Sequence, residues 1–580
     1  MNINLQENPF YLNEKQIAWV NSTLAGMSDD DKIRHLFCLV AYDDDEEACR
    51  YMAEKIRPGG FMSRIMTAEK CISTVKKMQS YSKIPLLVAA NLEAGGNGMA
   101  KEGTLLGRPM QIAATNDVEN ARRLGEVCGV EGSAVGANWA FAPIVDIDYN
   151  WRSSITNIRT FGRDPERVRA FGTAYVKEIQ KHGVAGCFKH FPGDGCDERD
   201  QHVAISINSL SCEEWDNTYG MIYKAGIDAG VKTMMIGHIL QPAYTKHFAP
   251  DTKDSEMLPA SMNRALVTDL LRKKLGFNGL VVTDSTAMAG LAALMPREMI
   301  VPMTIAAGCD MFLFTKNLEE DLEFMRRGYE NGVFDKNRLD EAVTRILALK
   351  ASLGLPEKRE NGTLIPKLED AQKVLGQEKF KAWGRECSDR AITLVKKEEG
   401  ILPFTPKRFP RILFCPLYNL GRPLKFDESN PLYRFYTMLG EAGFDVTVFQ
   451  SKKALEGAMP SVDEMRSKYD AIVYAVTKRA NYQVTTRVAW EEPLAANLPT
   501  LCHTIPTMFI SFEYPYYLFD VPHVRTYINC YADNRLTMQP LMDKLLGKSE
   551  FVGVSPVDAF CGKWETHVAF GPSLHLEDIK

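Results

Sequence analysis

The sequence has few of the features that mark membrane proteins or secreted, disulfide-stabilised proteins. No run reaches the roughly 18 consecutive apolar residues that a membrane span needs. The N-terminus, MNINLQENPFYLNEKQ, has no basic segment followed by an apolar core. The thirteen cysteines are odd in number, scattered and without a CxxC pair, which favours reduced, mostly buried thiols over a disulfide framework. We therefore expect a cytoplasmic protein that does not associate with membranes.

The chain also has no excess of positive charge. The formal net charge is -5 and no long basic run occurs, which argues against binding to nucleic acid or to an anionic membrane surface. The content of 45% apolar and 25% charged residues is that of an ordinary globular protein. A chain of 580 residues exceeds what one core usually supports, so we expect two domains.

Short apolar runs alternate with longer amphipathic segments over the first 350 residues, a pattern typical of strand-helix units and a parallel sheet. The runs are FCLVAY, LLVAAN, WAFAPIVDID, GCFKHF, TMMIGH, LVVTDS and DMFLF. Six of the seven contain a polar residue or run directly into one: Asp43, Asn91, Asp146, Lys189 with His190, His238 and Asp284. A (β/α)8 barrel carries its chemistry at the carboxyl ends of its strands. We therefore expect a site assembled from several loops.

The domain boundary is predicted from a polar connector. The segment PEKRENGTLIPK, residues 356–367, contains Gly and Pro between helical patterns. We expect a barrel over residues 1–355, a linker and connecting helix over 356–390, and a smaller α/β sandwich over 391–580. The second domain shows the strand patterns RILFCPL, DVTVF, AIVYAVT, TMFISF and TYINCY.

Three groups of residues could carry chemistry. Asp284 follows a buried run, where a carboxylate can act as a nucleophile or cap the next helix. Asp200 and His202 stand two apart on a glycine-containing loop, so they form either a proton-transferring pair or a solvated loop histidine with its neighbour. The third group contains basic and acidic residues suited to binding hydroxyl groups: Lys189, His190, Arg159 and Asp146.

A metal site is the competing use of the acidic loop. Asp197, Glu198, Asp200 and His202 fall within one six-residue stretch. Four ligands from so short a segment would be crowded, and no HExxH or Cys/His spacing accompanies them. We predict no metal and no cofactor.

Taken together, these motifs resemble a known family. The matching elements are FAPIVDI, RTFGRDP, KHFPGDG with DQH behind it, MIGHI, PASMNRALVTDLLRKKLGFNGLVVTD, and AITLVKKE with ILPF. The chain resembles glycoside hydrolase family 3, and within it the bacterial β-N-acetylglucosaminidases that use an Asp-His pair. This resemblance implies a (β/α)8 barrel followed by a smaller α/β domain.

The resemblance also implies roles for the site residues. Asp284 would be the nucleophile that forms a glycosyl-enzyme, which gives net retention of configuration. His202 would be the acid/base, with Asp200 orienting its ring, and the glycines would let a mobile loop bring the pair over the sugar. The remaining residues would bind or surround the sugar: Lys189, His190, Arg159, Asn91, Asp146 and His238.

Three positions depart from the family pattern. Asn91 stands where an aspartate is usual, and an amide both donates and accepts hydrogen bonds whereas a carboxylate only accepts. Asp194 stands where the branch usually has histidine, and Gln201 where it usually has serine. These departures leave the sugar of the first subsite open.

We expect a retaining, exo-acting β-glycosidase that acts on a small carbohydrate substrate. Among such enzymes, the resemblance favours a β-N-acetylhexosaminidase. A β-glucosidase and a glycoside phosphorylase are alternatives, because a neutral imidazole base would tolerate phosphate as well as water. A catalytically silent sugar-binding barrel is the alternative from another class. The sequence predicts no particular oligomeric state.

Overall fold

The computed structural model of the chain describes residues 3–417, 426–449, 461–477, 487–488, 490 and 497–567. The chain divides into two compact units. The first contains the residues up to Pro109 together with Val118–Trp383, and the second contains Met110–Asp117 with the residues from Gly384 onward. Within the described ranges, no helix is long and apolar enough to cross a membrane.

The first unit is built on ten strands. They are β1 (Phe37–Ala41), β2 (Gly60–Ser63), β3 (Leu87–Ala90), β4 (Trp139–Ala140), β5 (Cys187–Phe191), β6 (Ser206–Ile207), β7 (Thr233–Ile236), β8 (Ile239–Leu240), β9 (Leu280–Thr283) and β10 (Phe312–Leu313). Eight of them form the barrel, and the short strands β6 and β8 pair with each other. Each of the seven apolar runs in the sequence contains a barrel strand, and β2 is the eighth.

Parallel pairing links the barrel strands in the order β10-β1-β2-β3-β4 and in the order β5-β7-β9. Parallel bridges at Trp139 with Ala185 and at Val282 with Met311 join these two sheets into one ring. The strands are buried on both faces, as LVVT in β9 illustrates, because helices cover the outside of a parallel barrel. The predicted (β/α)8 fold is confirmed.

Helices fill the connections of the first unit, and their starts follow ordinary capping chemistry. Helix Lys336–Ser352, for example, begins where the Asp335 side chain accepts a hydrogen bond from the Arg338 amide. The helices are Glu14–Ala25, Asp29–His35, Glu46–Arg50, Tyr51–Ile56, Ala68–Tyr81, Gly96–Gly98, Val118–Ala134, Asn157–Arg159, Pro165–Lys181, Cys212–Trp215, Asp216–Gly220, Met221–Asp228, Pro242–Phe248, Asp254–Glu256, Ala260–Met262, Ala265–Lys274, Ala289–Ala292, Arg297–Ala307, Leu318–Glu330, Lys336–Ser352, Leu355–Glu360 and Leu368–Val374. Two further helices, Pro109–Ala114 and Glu378–Ala391, begin in the first unit and end in the second.

In its described residues, the second unit is an α/β domain on a six-stranded sheet. Its strands are β11 (Thr393–Lys396), β12 (Arg411–Leu417), β13 (Asp445–Val448), β14 (Ala471–Val476), β15 (Thr507–Ser511) and β16 (Thr526–Asn529). They lie in the order β11-β16-β15-β14-β12-β13, and the edge strand β11 is antiparallel to β16. Helices of this unit are Pro431–Glu441, Val462–Lys468, Tyr517–Phe519, Arg535–Leu545 and Trp564–His567.

The cysteines behave as the sequence predicts. All thirteen lie in the described part of the chain as free thiols, eleven of them buried. Burial raises the pKa of Cys187 to about 12 and that of Cys196 to about 11. Both side chains are therefore protonated thiols at neutral pH, which suits a structural role.

Candidate active site

Polar side chains gather at the carboxyl ends of the barrel strands. Asn91 and Glu93 follow β3, His238 follows β7 and Asp284 follows β9. Lys189 and His190 lie within β5, near its end. The loop between β5 and β6, residues 192–205, carries Asp200 and His202 and is called the β5–β6 loop below.

Asp284 is an ionised carboxylate in a largely buried position. Its side chain is 14% exposed, and its Oδ1 accepts a hydrogen bond from the Ser285 amide at 2.7 Å. Burial by itself would raise the pKa of this carboxyl group. The nearby imidazoles of His190, His238 and His202 outweigh burial and hold the pKa below its usual 3.8. The carboxylate is therefore charged over the physiological pH range.

His190 connects Asp284 to a buried carboxylate. Its Nδ1 donates to Asp146 Oδ2 at 2.7 Å, and its Nε2 lies 3.8 Å from Asp284 Oδ2. Asp146 also accepts hydrogen bonds from the backbone amides of His190 and Asp194. The structure thus places Asp146 behind His190, where it fixes the imidazole, and its side chain is only 2% exposed.

The strand β5 departs from regular pairing with β7 between Phe188 and Phe191. Such an irregularity changes the direction in which side chains point. Adjacent side chains in a regular strand diverge, yet Lys189 and His190 both reach groups of this site: Lys189 bonds to Glu93 and His190 to Asp146.

Glu93 forms ion pairs with two cationic side chains, Lys189 and Arg159. Lys189 donates to its Oε1 at 2.7 Å, and the Arg159 guanidinium donates to both carboxylate oxygens at 3.0 and 3.3 Å. Burial would raise the pKa of Glu93, but the charges of Arg159 and Lys189 hold it well below its usual range. The three side chains carry a net charge of +1, and Glu93 and Arg159 each remain 19% exposed. They can therefore offer donors and acceptors to a ligand.

Asp200 and His202 form the predicted pair. His202 Nδ1 donates to Asp200 Oδ1 at 2.7 Å, and the His202 amide donates to the same oxygen at 2.9 Å. The Asp200 side chain is fully buried, whereas that of His202 is 31% exposed. Burial lowers the pKa of His202, but the bond to Asp200 and the charge of Asp284 outweigh it and raise the pKa above 6.5. This ring can carry a proton near neutral pH.

His238 is bonded to protein groups through both ring nitrogens. Nε2 lies 2.9 Å from the Ser285 carbonyl oxygen, so it must donate, and Nδ1 then accepts from the Ser261 hydroxyl at 2.9 Å. The ring is fully buried, and burial lowers its pKa. His238 therefore holds the residue next to Asp284 in place as a neutral imidazole.

Two of the three departures from the family pattern contact each other. Gln201 Nε2 donates to Asp194 Oδ2 at 3.1 Å, and Ser206 donates to the other oxygen at 3.0 Å. Burial and the neighbouring charge of Asp146 raise the pKa of Asp194 to about 7. The third departure, Asn91, has an exposed side chain just beyond β3.

Sequence reasoning did not single out Glu93, and it noted Gln201 only as a departure from the family pattern. A signal for Glu93 was available, because a lysine at the end of a barrel strand, such as Lys189, needs an anionic partner when it is buried, and Glu93 stands two residues after Asn91. The competing metal interpretation gains no support in the described ranges, where no cluster of His, Cys, Asp and Glu could hold a metal ion. Asp197 instead accepts hydrogen bonds from Arg199 and from the Ile207 amide.

A cavity of about 360 Å³ lies elsewhere in the first unit and is lined by Asn4, Asn8, Arg272 and Arg345, among others. It shares no residue with the cluster described above. Arg272 and Arg345 are engaged with Asp310. The cluster at the strand ends differs from this cavity, because it brings an ionised carboxylate, Asp284, close to the imidazole of His190.

Comparison with known proteins identifies the family of this chain. The family profile of the glycosyl hydrolase family 3 N terminal domain matches residues 49–349. A protein of Cellulomonas fimi, beta-N-acetylglucosaminidase/beta-glucosidase, is 48% identical over 569 residues, which cover 98% of this chain and 100% of the relative. Beta-hexosaminidase A of Pseudoalteromonas piscicida is 28% identical over 56% of each chain.

Solved structures share the architecture. Beta-glucoside phosphorylase BglX bound to 2FGlc superposes with a TM-score of 0.90 at 40% identity, covering 96% of this chain and 99% of that one. A family 3 beta-N-acetylglucosaminidase from Paenibacillus has a TM-score of 0.75 at 22% identity, covering 92% of this chain and 99% of that one, a likeness of fold. With the family profile spanning the barrel and a relative 48% identical over nearly the whole chain, this protein belongs to glycosyl hydrolase family 3.

Proposed function

We propose that this family 3 enzyme is a retaining, exo-acting β-glycosidase that acts on β-N-acetylglucosaminides and also accepts β-glucosides. The observation that carries the proposal is the pairing of an ionised Asp284 with a protonatable His202 that Asp200 orients at 2.7 Å. A carboxylate nucleophile and a separate proton donor are what a two-step displacement at a sugar requires.

In the first step, an Asp284 oxygen attacks the anomeric carbon while the bond to the leaving oxygen breaks. His202 donates its Nε2 proton to that oxygen, since Nδ1 is held by Asp200. The products are the released alcohol, a glycosyl ester on Asp284 and a neutral imidazole. In the second step, His202 takes a proton from the acceptor, which attacks the anomeric carbon from the face opposite Asp284. The bond between that carbon and the Asp284 oxygen breaks, and the carboxylate is regenerated. Two inversions give net retention.

The sugar class is supported by the site and by the relatives' names. Glu93, Arg159 and Lys189 offer a connected set of donors and acceptors suited to neighbouring hydroxyl groups. Asn91, exposed beyond β3, can both donate and accept. The Cellulomonas relative carries both the N-acetylglucosaminidase and the glucosidase names, which supports a first subsite that takes either sugar.

Phosphate is the second candidate acceptor. A deprotonated carboxylate acid/base would repel an incoming anion by about 3 kcal/mol per unit charge at 5 Å and an effective dielectric constant of 20. A neutral imidazole removes that repulsion, which corresponds to roughly a hundredfold in rate. The 40% identical beta-glucoside phosphorylase BglX supports this alternative by its name.

The first experiment compares p-nitrophenyl β-glycosides of N-acetylglucosamine, N-acetylgalactosamine and glucose, each with and without phosphate. We expect turnover of the N-acetylglucosamine substrate, with glucose second. Phosphate-dependent release of a sugar phosphate instead of free sugar would assign the acceptor. Silence on all three substrates, with or without phosphate, would contradict a glycosidase of this class and favour a sugar-binding barrel.

A second experiment tests the two roles separately. A 2-deoxy-2-fluoro-β-glucosyl fluoride should add one glycosyl group to the peptide that contains Asp284, as peptide mass mapping can show. His202→Ala should retain turnover of substrates with good leaving groups and lose about 10²- to 10⁴-fold on poor ones. Equal losses on both kinds of substrate would contradict the acid/base role of His202.

A further inference from the structure

Gln201 stands between the two members of the Asp200–His202 pair, and its side chain is completely buried. Both ends of its amide are bonded. Nε2 donates to Asp194 Oδ2 at 3.1 Å, and Oε1 accepts from the His238 backbone amide at 2.7 Å. Because the Gln201 amide donates to one segment and accepts from another, only one orientation of the amide makes both bonds. The side chain therefore links the backbone at Gln201 to the segments of Asp194 and His238.

These bonds connect the β5–β6 loop to the loop that carries Asp284. His238, whose backbone Gln201 holds, donates from its ring to the Ser285 carbonyl oxygen at 2.9 Å. The Ser285 amide in turn donates to Asp284 Oδ1 at 2.7 Å. A continuous path of hydrogen bonds thus runs from Asp194 through Gln201 and His238 to Asp284.

The backbones of the two loops are also in direct contact. The Ala289 amide donates to the His202 carbonyl oxygen at 3.0 Å. A Cβ placed on Gly290 would lie 2.4 Å from the Gln201 carbonyl oxygen, so only glycine permits this approach. The β5–β6 loop is therefore packed on the helix that follows Asp284.

We propose that Gln201 is a positioning residue, which acts through His202 and keeps the Asp200–His202 pair in register with Asp284. This inference rests on the proposed function, because it assigns Gln201 an effect on proton donation by His202. Gln201 contacts no substrate in this view. Its loss should impair the step that needs a placed proton more than the step that needs only the nucleophile.

The competing explanation is that Gln201 only stabilises the fold. Gln79 offers a matched control within the same barrel unit. It is a buried glutamine whose Nε2 donates to the Leu86 carbonyl oxygen and whose Oε1 accepts from the Leu86 amide, both at 3.0 Å. Leu86 directly precedes β3, so Gln79 lies at the opposite end of the strands from the site.

The experiment measures kcat and KM of the full chain for a series of aryl β-glycosides with leaving groups of increasing pKa. For Gln201→Met, we expect kcat to fall roughly 10- to 100-fold on the poorest leaving groups and less than about threefold on the best. KM should stay within about threefold. Gln79→Met should lower thermal stability without changing the dependence on the leaving group.

A polarity exchange keeps the inference testable if Gln201→Met does not fold. Gln201→Glu retains the acceptor for the His238 amide but places a carboxylate against Asp194. Adding Asp194→Asn restores a hydrogen bond of reversed direction, from the Asn amide to the Glu carboxylate, and leaves Ser206 its acceptor. We expect the double variant to recover poor-leaving-group turnover at least about tenfold over Gln201→Glu.

Uniform loss across the leaving-group series in Gln201→Met, or turnover in the double variant no higher than in Gln201→Glu, would overturn the inference. Its failure is distinguishable from failure of the proposed function. If His202→Ala loses activity equally on all leaving groups, the acid/base assignment itself is wrong. If His202→Ala shows the expected dependence and Gln201→Met does not, only the positioning role is refuted.

Discussion

Replacement of Asp200 by asparagine changes charge at a single point of the site. The Asp200 side chain is fully buried, and its Oδ1 accepts from His202 Nδ1 at 2.7 Å and from the His202 amide at 2.9 Å. An asparagine oxygen can accept the same two hydrogen bonds. Asp200→Asn therefore keeps the ring orientation and removes the negative charge that favours the protonated imidazole.

The magnitude follows from the difference between a charged and a neutral hydrogen bond. A bond to a charged group contributes about 1.5–3 kcal/mol and a neutral one about 0.5–1.5 kcal/mol. The difference of about 1–1.5 kcal/mol corresponds to roughly one unit on the pH scale. In the wild type the pKa of His202 is raised above 6.5, so activity should persist above that pH and fall as His202 loses its proton. In Asp200→Asn the fall should begin about one pH unit lower.

The assay is a profile of kcat/KM against pH for a β-glycoside with a poor leaving group, whose cleavage depends on the proton donor. Asp197→Asn is the control, because Asp197 lies on the same β5–β6 loop but bonds to Arg199 and to the Ile207 amide. A basic limb that stays in place in Asp200→Asn, or one that shifts equally in Asp197→Asn, would refute the reasoning.

Three further changes have defined outcomes. Asp284→Ala should lower kcat on every glycoside by at least about 10⁴-fold, as for other covalent nucleophiles, with an unchanged melting temperature; substantial residual turnover would place the nucleophile elsewhere. Glu93→Gln removes the anion shared by Arg159 and Lys189. Because Glu93 is 19% exposed, this change should lower the free energy of unfolding by only about 1–3 kcal/mol. An unchanged urea midpoint would contradict this. Burial holds the pKa of His35 well below 6.5 in the folded protein. As the pH falls below 6.5, the unfolded chain binds a proton at His35 that the folded protein does not, so the free energy of unfolding decreases; above pH 6.5 this effect is absent. His35→Gln should lose less unfolding free energy than the wild type as the pH falls, as urea titrations at several pH values can measure. The same dependence on pH in both proteins would refute this.

The barrel was predictable because most of its strands are continuous apolar runs. The strand β2 was not, since its sequence, GFMS, follows Gly59 and resembles a turn. The structure shows another reason for these glycines. A Cβ on Gly59 would lie 2.3 Å from the His35 carbonyl oxygen, and one on Gly60 would lie 2.8 Å from Leu87. Glycine here permits close approach between neighbouring segments, a tertiary requirement that local sequence does not reveal.

The sequence predicted which residues lie at the ends of the barrel strands, but it did not predict which of these side chains bond to each other. Polar residues at strand ends fall where a parallel barrel must bring them together, and the structure gathers His190, His238 and Asp284 there. Which carboxylate meets which cation depends on side-chain paths across long separations. Asp146 bonds to a ring 44 residues away, and Glu93 to Lys189 at a separation of 96 residues. No local pattern encodes such pairings.

Burial distinguishes two of the imidazoles near Asp284, those of His190 and His202. Each ring donates from Nδ1 to a buried carboxylate at 2.7 Å, Asp146 for His190 and Asp200 for His202. The His190 side chain is 6% exposed and its Nε2 lies 3.8 Å from Asp284, so its position suits it to stabilise that carboxylate. The His202 side chain is 31% exposed on a loop, where a leaving group could reach it. The same histidine–aspartate hydrogen bond can thus serve two different roles. A histidine that donates a proton to the substrate must be accessible, whereas one that stabilises a nucleophile need only be close to it.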